Sequence, residues 1–256
     1  MKNLQETRIE NLKNALKAKN AVKVIAGIAN FDETSVLGIV RATEAAKAHA
    51  VDIAADASLV RAARQATEQA IFASSVSPQA LADAVEAGAD VAELGNFDAL
   101  YAKGLFLSAD DVLTLAKETL SKVAGRALVS ITVPGHLNVD AQIALAQQLE
   151  LLGVDMIQTE GTARVLATEP TVKTLSQPEQ EALTLRNTRA LTAAVSIPVI
   201  TASGIQADNA NRAFEAGASA VGVGTYVRQA ISSAEMVERI MAVMANTQPT
   251  PLRLAV

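Results

Sequence analysis

A junction in which a small residue leads into a short apolar run occurs four times along the chain, and no other feature constrains the fold as strongly. Gly88, Gly153 and Gly217 stand in three of the four copies. A glycine at such a position typically ends a helix in a left-handed conformation just before the next strand. The repeat therefore predicts helix–strand units over the whole chain, with copies at residues 48–53, 87–91, 152–156 and 216–221.

Four other strand-like runs lie between these copies, at residues 22–26, 71–74, 128–133 and 198–202. Each run is short, almost continuously apolar and followed by a helical pattern, which is typical of a parallel strand buried on both faces. Together the two sets give eight units, and 256 residues is an ordinary length for eight units closed into a barrel. We therefore predict an α/β fold with a single (β/α)8 TIM barrel over residues 1–256. A doubly wound open sheet is the alternative, although it would not require evenly spaced repeats.

The two ends of the chain are predicted to lie outside the barrel units. Residues 1–20 have a polar pattern with apolar residues on one side, which predicts an extra N-terminal helix and not a signal peptide with an apolar centre. Residues 247–256 contain two prolines and are expected to form an extended tail. The apolar side of the N-terminal helix carries Leu4, Ile9, Leu12 and Leu16.

Charge and composition argue against several classes of function. The chain has 22 Lys and Arg against 27 Asp and Glu, a formal net charge of -5, whereas surfaces that bind nucleic acids or anionic membranes need clustered positive charge. The absence of cysteine excludes disulfides, thiolate nucleophiles and Cys-bound metals. No apolar run reaches membrane-spanning length. Together with the negative net charge, this leads us to expect a cytoplasmic protein with no nucleic-acid or membrane partner. A homo-oligomer is compatible with these features.

Paired glycine-containing turns at the last two predicted strands give the clearest functional signal. Many TIM barrels hold a phosphate between these two loops and the start of a short extra helix, for which residues 225–231 are the candidate. Glycines let backbone N–H groups approach an oxyanion closely, so a small phosphorylated ligand is expected here. The alternative is that the glycines only permit tight turns. The candidate phosphate-binding residues are Ser203, Gly204, Gly222, Gly224 and Thr225.

A second signal is the presence of charged residues in strands that are otherwise apolar. Lys23, Asp52 and Glu93 each lie in a different predicted strand. A charge on the helix-facing side would be buried against hydrocarbon, so these side chains are expected to point into the barrel. There Lys23 could pair with a carboxylate in a structural network, or act as a nucleophilic amine that forms a Schiff base. The network is favoured, because Lys23 and Asp52 fall near the starts of their strands, toward the face that serves stability.

Polar residues just past strand ends are candidates for acid–base chemistry, because barrel enzymes place their catalytic groups at this face. Asn96 and Glu160 are the strongest of these candidates, and His136 follows the fifth predicted strand. Asp32 and Asp56 also follow strands, but a role as helix N-caps is favoured for both. No set of residues has the spacing of metal ligands.

Two connections on the same face are longer than a barrel requires. Residues 96–107 follow the fourth strand and residues 161–177 follow the sixth. The second connection is polar, contains Pro170 and carries Arg164 and Lys173, so it is the candidate lid over a bound ligand. A surface loop with solvated charges is the alternative.

Seven short motifs extend over nearly the whole chain: Lys23-Val24-Ile25-Ala26-Gly27, Asn30-Phe31-Asp32, Val51-Asp52-Ile53-Ala54-Ala55-Asp56, Glu93-Leu94-Gly95-Asn96-Phe97-Asp98, Gln158-Thr159-Glu160-Gly161, Ala202-Ser203-Gly204 and Gly222-Val223-Gly224. As a set they resemble an uncharacterised family, the hypothetical-chloroplast-frame (Ycf) proteins of cyanobacteria and algal plastids. The resemblance implies a barrel similar to phosphate-binding barrels and a cyanobacterial or plastid origin, but no particular reaction. The chain departs from the family pattern at Pro134-Gly135-His136, where a histidine directly after the proline is expected, and in the loop after Gly161, which is poor in Gly and Ser.

These observations favour an enzyme of lyase, isomerase or aldolase type that acts on a small phosphorylated metabolite. The terminal loops would hold the phosphate, Glu160 or Glu93 would act as base or acid, and Lys23 would be an electrophilic or electrostatic partner. This interpretation needs no metal or other cofactor. An FMN-dependent oxidoreductase is one alternative, because the same loops can hold a flavin phosphate. A noncatalytic protein that binds a metabolite is another, since a fold alone does not decide function.

Overall fold

A computed structural model describes residues 3–101, 104–161 and 176–247 and confirms the TIM barrel. Parallel strands pair in chain order, and the eighth pairs with the first, so the sheet closes into a barrel. The strands in this part of the chain are β1 (Ala21–Gly27), β2 (Ala50–Ala54), β3 (Ala70–Ser75), β4 (Val91–Leu94), β5 (Leu128–Thr132), β6 (Met156–Gln158), β7 (Val199–Ala202) and β8 (Ala220–Val223).

Helices connect successive strands and cover the outside of the barrel. They are α1 (Leu4–Lys17), α2 (Glu33–Ala46), α3 (Ala57–Ala66), α4 (Pro78–Glu86), α5 (Asp98–Tyr101), α6 (Ala109–Val123), α7 (Val139–Leu151), α8 (Gln177–Ala194), α9 (Ala210–Glu215), α10 (Thr225–Arg228) and α11 (Ser233–Ala245). Over the described ranges, no helix combines the length and the apolar character needed to cross a membrane.

Helix ends follow from local side-chain chemistry. The carboxylates of Asp32 and Asp56 accept hydrogen bonds from backbone N–H groups in the first turns of α2 and α3, which otherwise lack partners in the helix. At the opposite ends, Gly88, Gly153 and Gly217 have φ of 114°, 86° and 101°. The predicted caps and the predicted glycine stops are therefore both confirmed.

Two predicted details of the helices differ from the structure. The extra helix predicted at residues 225–231 is α10, which ends at Arg228 because the chain must turn before Ser232 caps α11. In α1, Leu12 and Leu16 are buried, but Leu4 is 68% exposed, since only the later turns of this helix reach the barrel. From residue 248 onward, the predicted tail lies outside the described residues.

Alternate residues of each strand face opposite sides of the sheet. On the outer face, side chains such as Val22 and Val24 pack against the helices and form the larger part of the core. On the inner face, Ala21 belongs to a layer at the amino ends of the strands that packs against Leu12 and Leu16 of α1. The N-terminal helix therefore covers this end of the barrel interior, while the candidate site lies at the other end.

Candidate functional site

A pocket of about 920 Å³ lies at the carboxyl ends of β1, β7 and β8. Parallel strands end at one edge of the sheet, so the turns after β7 and β8 meet around this space. All five residues predicted to hold a phosphate line this pocket, together with Asn96. The two turns therefore share one open cavity. Other lining residues with a part in the site are Ile25, Ala202 and Arg228.

The turn after β7 contains two consecutive left-handed residues. Ser203 and Gly204 have φ of 82° and 72°. The Gly204 carbonyl accepts hydrogen bonds from Gln177 Nε2 at 3.2 Å and from Asn209 Nδ2 at 2.9 Å. These bonds tie the turn to α8 and to the segment before α9. A turn held in this way needs little ordering when a ligand binds, which lowers the entropy cost of binding.

Arg228 brings a positive charge to the lining of the pocket. Its Nη1 donates to the Ile25 carbonyl at 2.9 Å, and its Nη2 donates to Thr225 Oγ1 at 3.2 Å. A Cβ on residue 224 would lie 2.6 Å from Nη1, so Gly224 leaves room for the guanidinium. Arg228 was not among the site residues predicted from the sequence. The feature of the sequence that could have indicated it is a basic residue three positions after Thr225, in the helix predicted to border the anion site.

Beneath the pocket, the three charged residues predicted to face the interior come together. Lys23 Nζ lies 2.6 Å from Glu93 Oε2 and 3.4 Å from Asp52 Oδ2, and all three side chains are at most 2% exposed. The ammonium also lies 4.6 Å from the centre of the Phe72 ring. The pairing follows from the cost of burying a charge without a partner.

Two amide side chains and a hydroxyl complete this network. Asn96 Nδ2 donates to Asp52 Oδ2 at 3.4 Å and to Ser74 Oγ at 3.2 Å. Gln158 Nε2 donates to Glu93 Oε1 and to Asn96 Oδ1, both at 3.0 Å. We call this group the Lys23 cluster; its members are Lys23, Asp52, Ser74, Glu93, Asn96 and Gln158.

Asn96 connects the Lys23 cluster to the pocket, which it lines. Its φ is 60°, a left-handed conformation that asparagine adopts more readily than most residues. Lys23 and Asp52 lie near the starts or middles of their strands, and their predicted structural pairing is present. Each is the third residue of its strand, one interior layer above Ala21 and Ala50, which pack toward α1. Because alternate residues form successive layers, this placement brings the cluster up to the pocket.

The Lys23 cluster contains two carboxylates and one ammonium in a site shielded from solvent. Burial raises the pKa of Glu93; the positive charge of Lys23 opposes this rise, and the negative charge of Asp52 adds to it. Glu93 can therefore keep a proton at a pH at which an exposed carboxyl has lost it. The cluster is suited to proton exchange and to holding a hydrogen-bond donor nearby.

Glu160 lies in a separate group at the ends of β5 and β6. Its Oε2 accepts hydrogen bonds from the Tyr101 hydroxyl at 2.6 Å and from the Gly135 N–H at 3.1 Å. His136 Nδ1 lies 3.1 Å from the same hydroxyl, and burial lowers the pKa of His136. None of these four described residues lines the pocket. The structure therefore does not bring Glu160 together with the other candidates. Tyr101, which was not predicted from the sequence, contacts both Glu160 after β6 and His136 after β5.

The residues predicted to form a lid, Arg164, Pro170 and Lys173, lie outside the described residues. Across the described ranges, no group of three or more histidine, aspartate and glutamate side chains is arranged to hold a metal ion.

Comparisons of the sequence agree with the resemblance carried by the seven motifs. The model of the family described as "Protein of unknown function (DUF561)" matches residues 6–252. The "Uncharacterized protein ycf23" of Cyanophora paradoxa is 36% identical over 225 residues, which cover 88% of this chain and 91% of the relative. The protein with the same description in Cyanidium caldarium is 37% identical over 209 residues, 82% of this chain and 83% of the relative.

Solved structures with the same fold include enzymes with phosphorylated compounds in their names. A 3-hexulose-6-phosphate synthase has a TM-score of 0.63 at 14% identity, covering 88% of this chain and 99% of its own. The thiamine phosphate pyrophosphorylase of Pyrococcus furiosus has a TM-score of 0.58 at 17% identity, covering 91% and 97%. The (S)-3-O-geranylgeranylglyceryl phosphate synthase of Thermoplasma acidophilum, in complex with sn-glycerol-1-phosphate, has a TM-score of 0.57 at 14% identity, covering 96% and 99%. At these identities the likeness establishes the fold alone.

Proposed function

Because the chain belongs to the DUF561 family of unknown function, we propose a function from the site itself: the protein is an enzyme of lyase, isomerase or aldolase type that acts on a small phosphorylated metabolite. One observation carries the proposal. A pocket bordered by two glycine turns and a guanidinium also contacts, through Asn96, a buried cluster of acidic and basic side chains. Anion binding and proton transfer are thereby available to one ligand.

The phosphate is proposed to bind at the β7–β8 end of the pocket. A guanidinium is always charged at neutral pH and matches the geometry of phosphate oxygens. Arg228 is already oriented by its bonds to Ile25 and Thr225, so little side-chain entropy is lost on binding. The names of the structural neighbours support this assignment by analogy of fold only.

The chemical step is proposed to use groups next to this phosphate. Asn96 is the member of the Lys23 cluster that would touch the ligand, with Glu93 as the proton donor or acceptor behind it and Lys23 and Asp52 setting the local potential. Glu160 is proposed as a second acid or base, which would act while hydrogen-bonded to the Tyr101 hydroxyl. Closure of the site by the 161–177 loop belongs to the same proposal.

Replacing Arg228 tests the phosphate site. We expect Arg228→Gln to weaken binding of inorganic phosphate about tenfold or more, because a charge-assisted hydrogen bond is lost. Isothermal titration calorimetry at constant ionic strength measures the affinity. Arg61→Gln removes an exposed arginine from α3 and serves as the matched control. An equal loss in both variants, or no phosphate binding to the wild type, contradicts the proposal.

The pocket volume of about 920 Å³ also admits a larger phosphorylated ligand, and this favours FMN as a second candidate. The flavin phosphate would occupy the same end of the pocket. Tight FMN binding, with visible absorbance retained through purification, would support an oxidoreductase. A metabolite-binding protein without catalysis is distinguished by phosphorus NMR after long incubation with a panel of sugar phosphates: an enzyme gives new resonances, and a binding protein leaves its ligand unchanged.

A further inference from the structure

We infer that the inner end of the pocket recognises a hydroxyl group, so that the ligand class is a small phosphorylated polyol. The hydroxyl would donate to Gln158 Oε1, which lies behind Gly222. This inference rests on the proposed phosphate site and adds a second point of recognition to it. It assigns Gln158, a residue outside the predicted site, a part in specificity.

The orientation of the Gln158 amide follows from its neighbours. Nε2 donates to Glu93 Oε1 and to Asn96 Oδ1, both at 3.0 Å, and lies 3.4 Å from Thr132 Oγ1. A flipped amide would place its oxygen against the acceptor oxygens of Glu93 and Asn96. Nε2 must therefore face them, and Oε1 must point to the other side.

Gln158 Oε1 has no hydrogen-bond partner among the described residues, although the side chain is only 1% exposed. A buried acceptor without a partner destabilises the protein, and native proteins contain few of them. Such an atom calls for an explanation, and a donor supplied by a ligand is one that the surroundings favour.

Gly222 places this acceptor next to the pocket. A Cβ on residue 222, which lines the pocket, would lie 3.5 Å from Gln158 Oε1, 3.1 Å from Ala202 Cβ and 3.0 Å from Ile25 Cδ1. Because Ala202 and Gly222 have small or no side chains, little protein separates the pocket from Gln158 Oε1 at this point. The Ile25 atom is the far end of a flexible side chain, so a rotamer change opens a path from the pocket to the amide oxygen.

Charge decides which group occupies which end. The Lys23 cluster has two carboxylates for one ammonium, so it disfavours a phosphate, which belongs near Arg228. Lys23 already lies against both carboxylates, so a neutral donor fits the inner end better than a second cation. The pocket therefore matches a molecule with a phosphate at one end and a hydroxyl at the other.

Titration of the wild type with inorganic phosphate, ethyl phosphate and glycerol 1-phosphate tests the inference without any variant. We expect glycerol 1-phosphate to bind about five- to tenfold more tightly than ethyl phosphate, the gain from one hydrogen bond to a buried acceptor. If the two phosphate esters bind equally, the inference is wrong while the phosphate site stands. If none of the three binds, the proposed function fails, and the inference fails with it.

Replacing Gln158 locates the effect. In Gln158→Met the preference for glycerol 1-phosphate over ethyl phosphate should fall to about one, because the acceptor is gone. Ser130→Ala, which changes another interior residue beside Glu93, should keep the preference and controls for altered packing. Circular dichroism shows whether each variant is folded. A folded Gln158→Met protein that keeps the full preference overturns the assignment.

Discussion

Two buried charged clusters at opposite ends of the barrel differ in both composition and surroundings. At the amino ends of the strands, Asp90 accepts hydrogen bonds from Arg8 Nε at 3.1 Å, Arg64 Nη1 at 2.9 Å and the Ile71 N–H at 3.0 Å. We call this the Asp90 cluster. It has two basic side chains for one carboxyl group, whereas the Lys23 cluster has one basic side chain for two carboxyl groups.

The surroundings of the two clusters are as different as their charges. The Arg8 and Arg64 side chains are 11% and 19% exposed, so water reaches part of the Asp90 cluster, which does not border the candidate site. The Lys23 cluster is shielded from water and adjoins the pocket through Asn96. Buried charge alone is therefore a poor sign of function. Charge that is shielded from water and next to a cavity is a better one.

The largest expected effect comes from removing the single cation of the Lys23 cluster. Lys23→Met leaves Asp52 and Glu93 buried without their ammonium partner, so the free energy of unfolding should fall by about 3–5 kcal/mol. Urea denaturation followed by circular dichroism measures it at neutral pH. The double variant Lys23→Met/Glu93→Gln has one fewer buried carboxylate and should recover part of the loss. A fall below about 1 kcal/mol in the single variant would show that the pair is not buried as described.

Removing one cation from the Asp90 cluster should cost less. In Arg8→Met, Asp90 keeps Arg64 and the Ile71 N–H, so we expect a loss of about 1–2 kcal/mol in the same denaturation experiment. Phosphate affinity should not change, because this cluster lies at the other end of the barrel. A loss as large as that of Lys23→Met would erase the distinction between the clusters.

The smallest expected effect is a change in the pH dependence of stability. Because the pKa of Glu93 is raised in the folded protein, the folded state binds its proton more tightly than the unfolded chain does. This contribution to stability is fully present below the unfolded pKa of about 4.3. It is lost as the pH rises through the folded pKa.

Glu93→Gln should therefore lose less stability than the wild type when the pH rises above about 4.3. The free energies of unfolding of both proteins, measured at matched pH values, give the difference. The pKa of Asp90 is also raised by burial. Asp90→Asn should therefore remove a separate part of the decrease in unfolding free energy with rising pH. Parallel curves for wild type and Glu93→Gln would contradict the cause assigned to the Glu93 shift.

The fold could be predicted because its information is local. Three of the units end a helix at a glycine, such as Gly88, and begin a strand within a few residues. The other strands are short apolar runs followed by helical patterns, and eight such units have one simple way to close. The interior position of Lys23 was predictable for the same reason: a charge in a strand covered by helices has only one tolerable side.

The contacts that make the site could not be predicted from local pattern. Arg228 binds the Ile25 carbonyl across a sequence separation of 203 residues, and Gln158 joins Glu93 across 65. Glu160 follows a strand like the other candidates, but its bond to Tyr101 turns it away from them. Strand ends predict which residues share a face of the barrel, while side-chain partners decide which of them share a cavity.

The N-terminal helix has a consequence for the kinetics of any reaction in this protein. Because α1 covers the amino-terminal end of the interior, a molecule bound in the pocket arrives and departs by the same route, as far as the described part of the chain extends. Product that has not left then prevents the next substrate from binding. Competitive inhibition by product is therefore the behaviour to expect of any reaction carried out in this pocket.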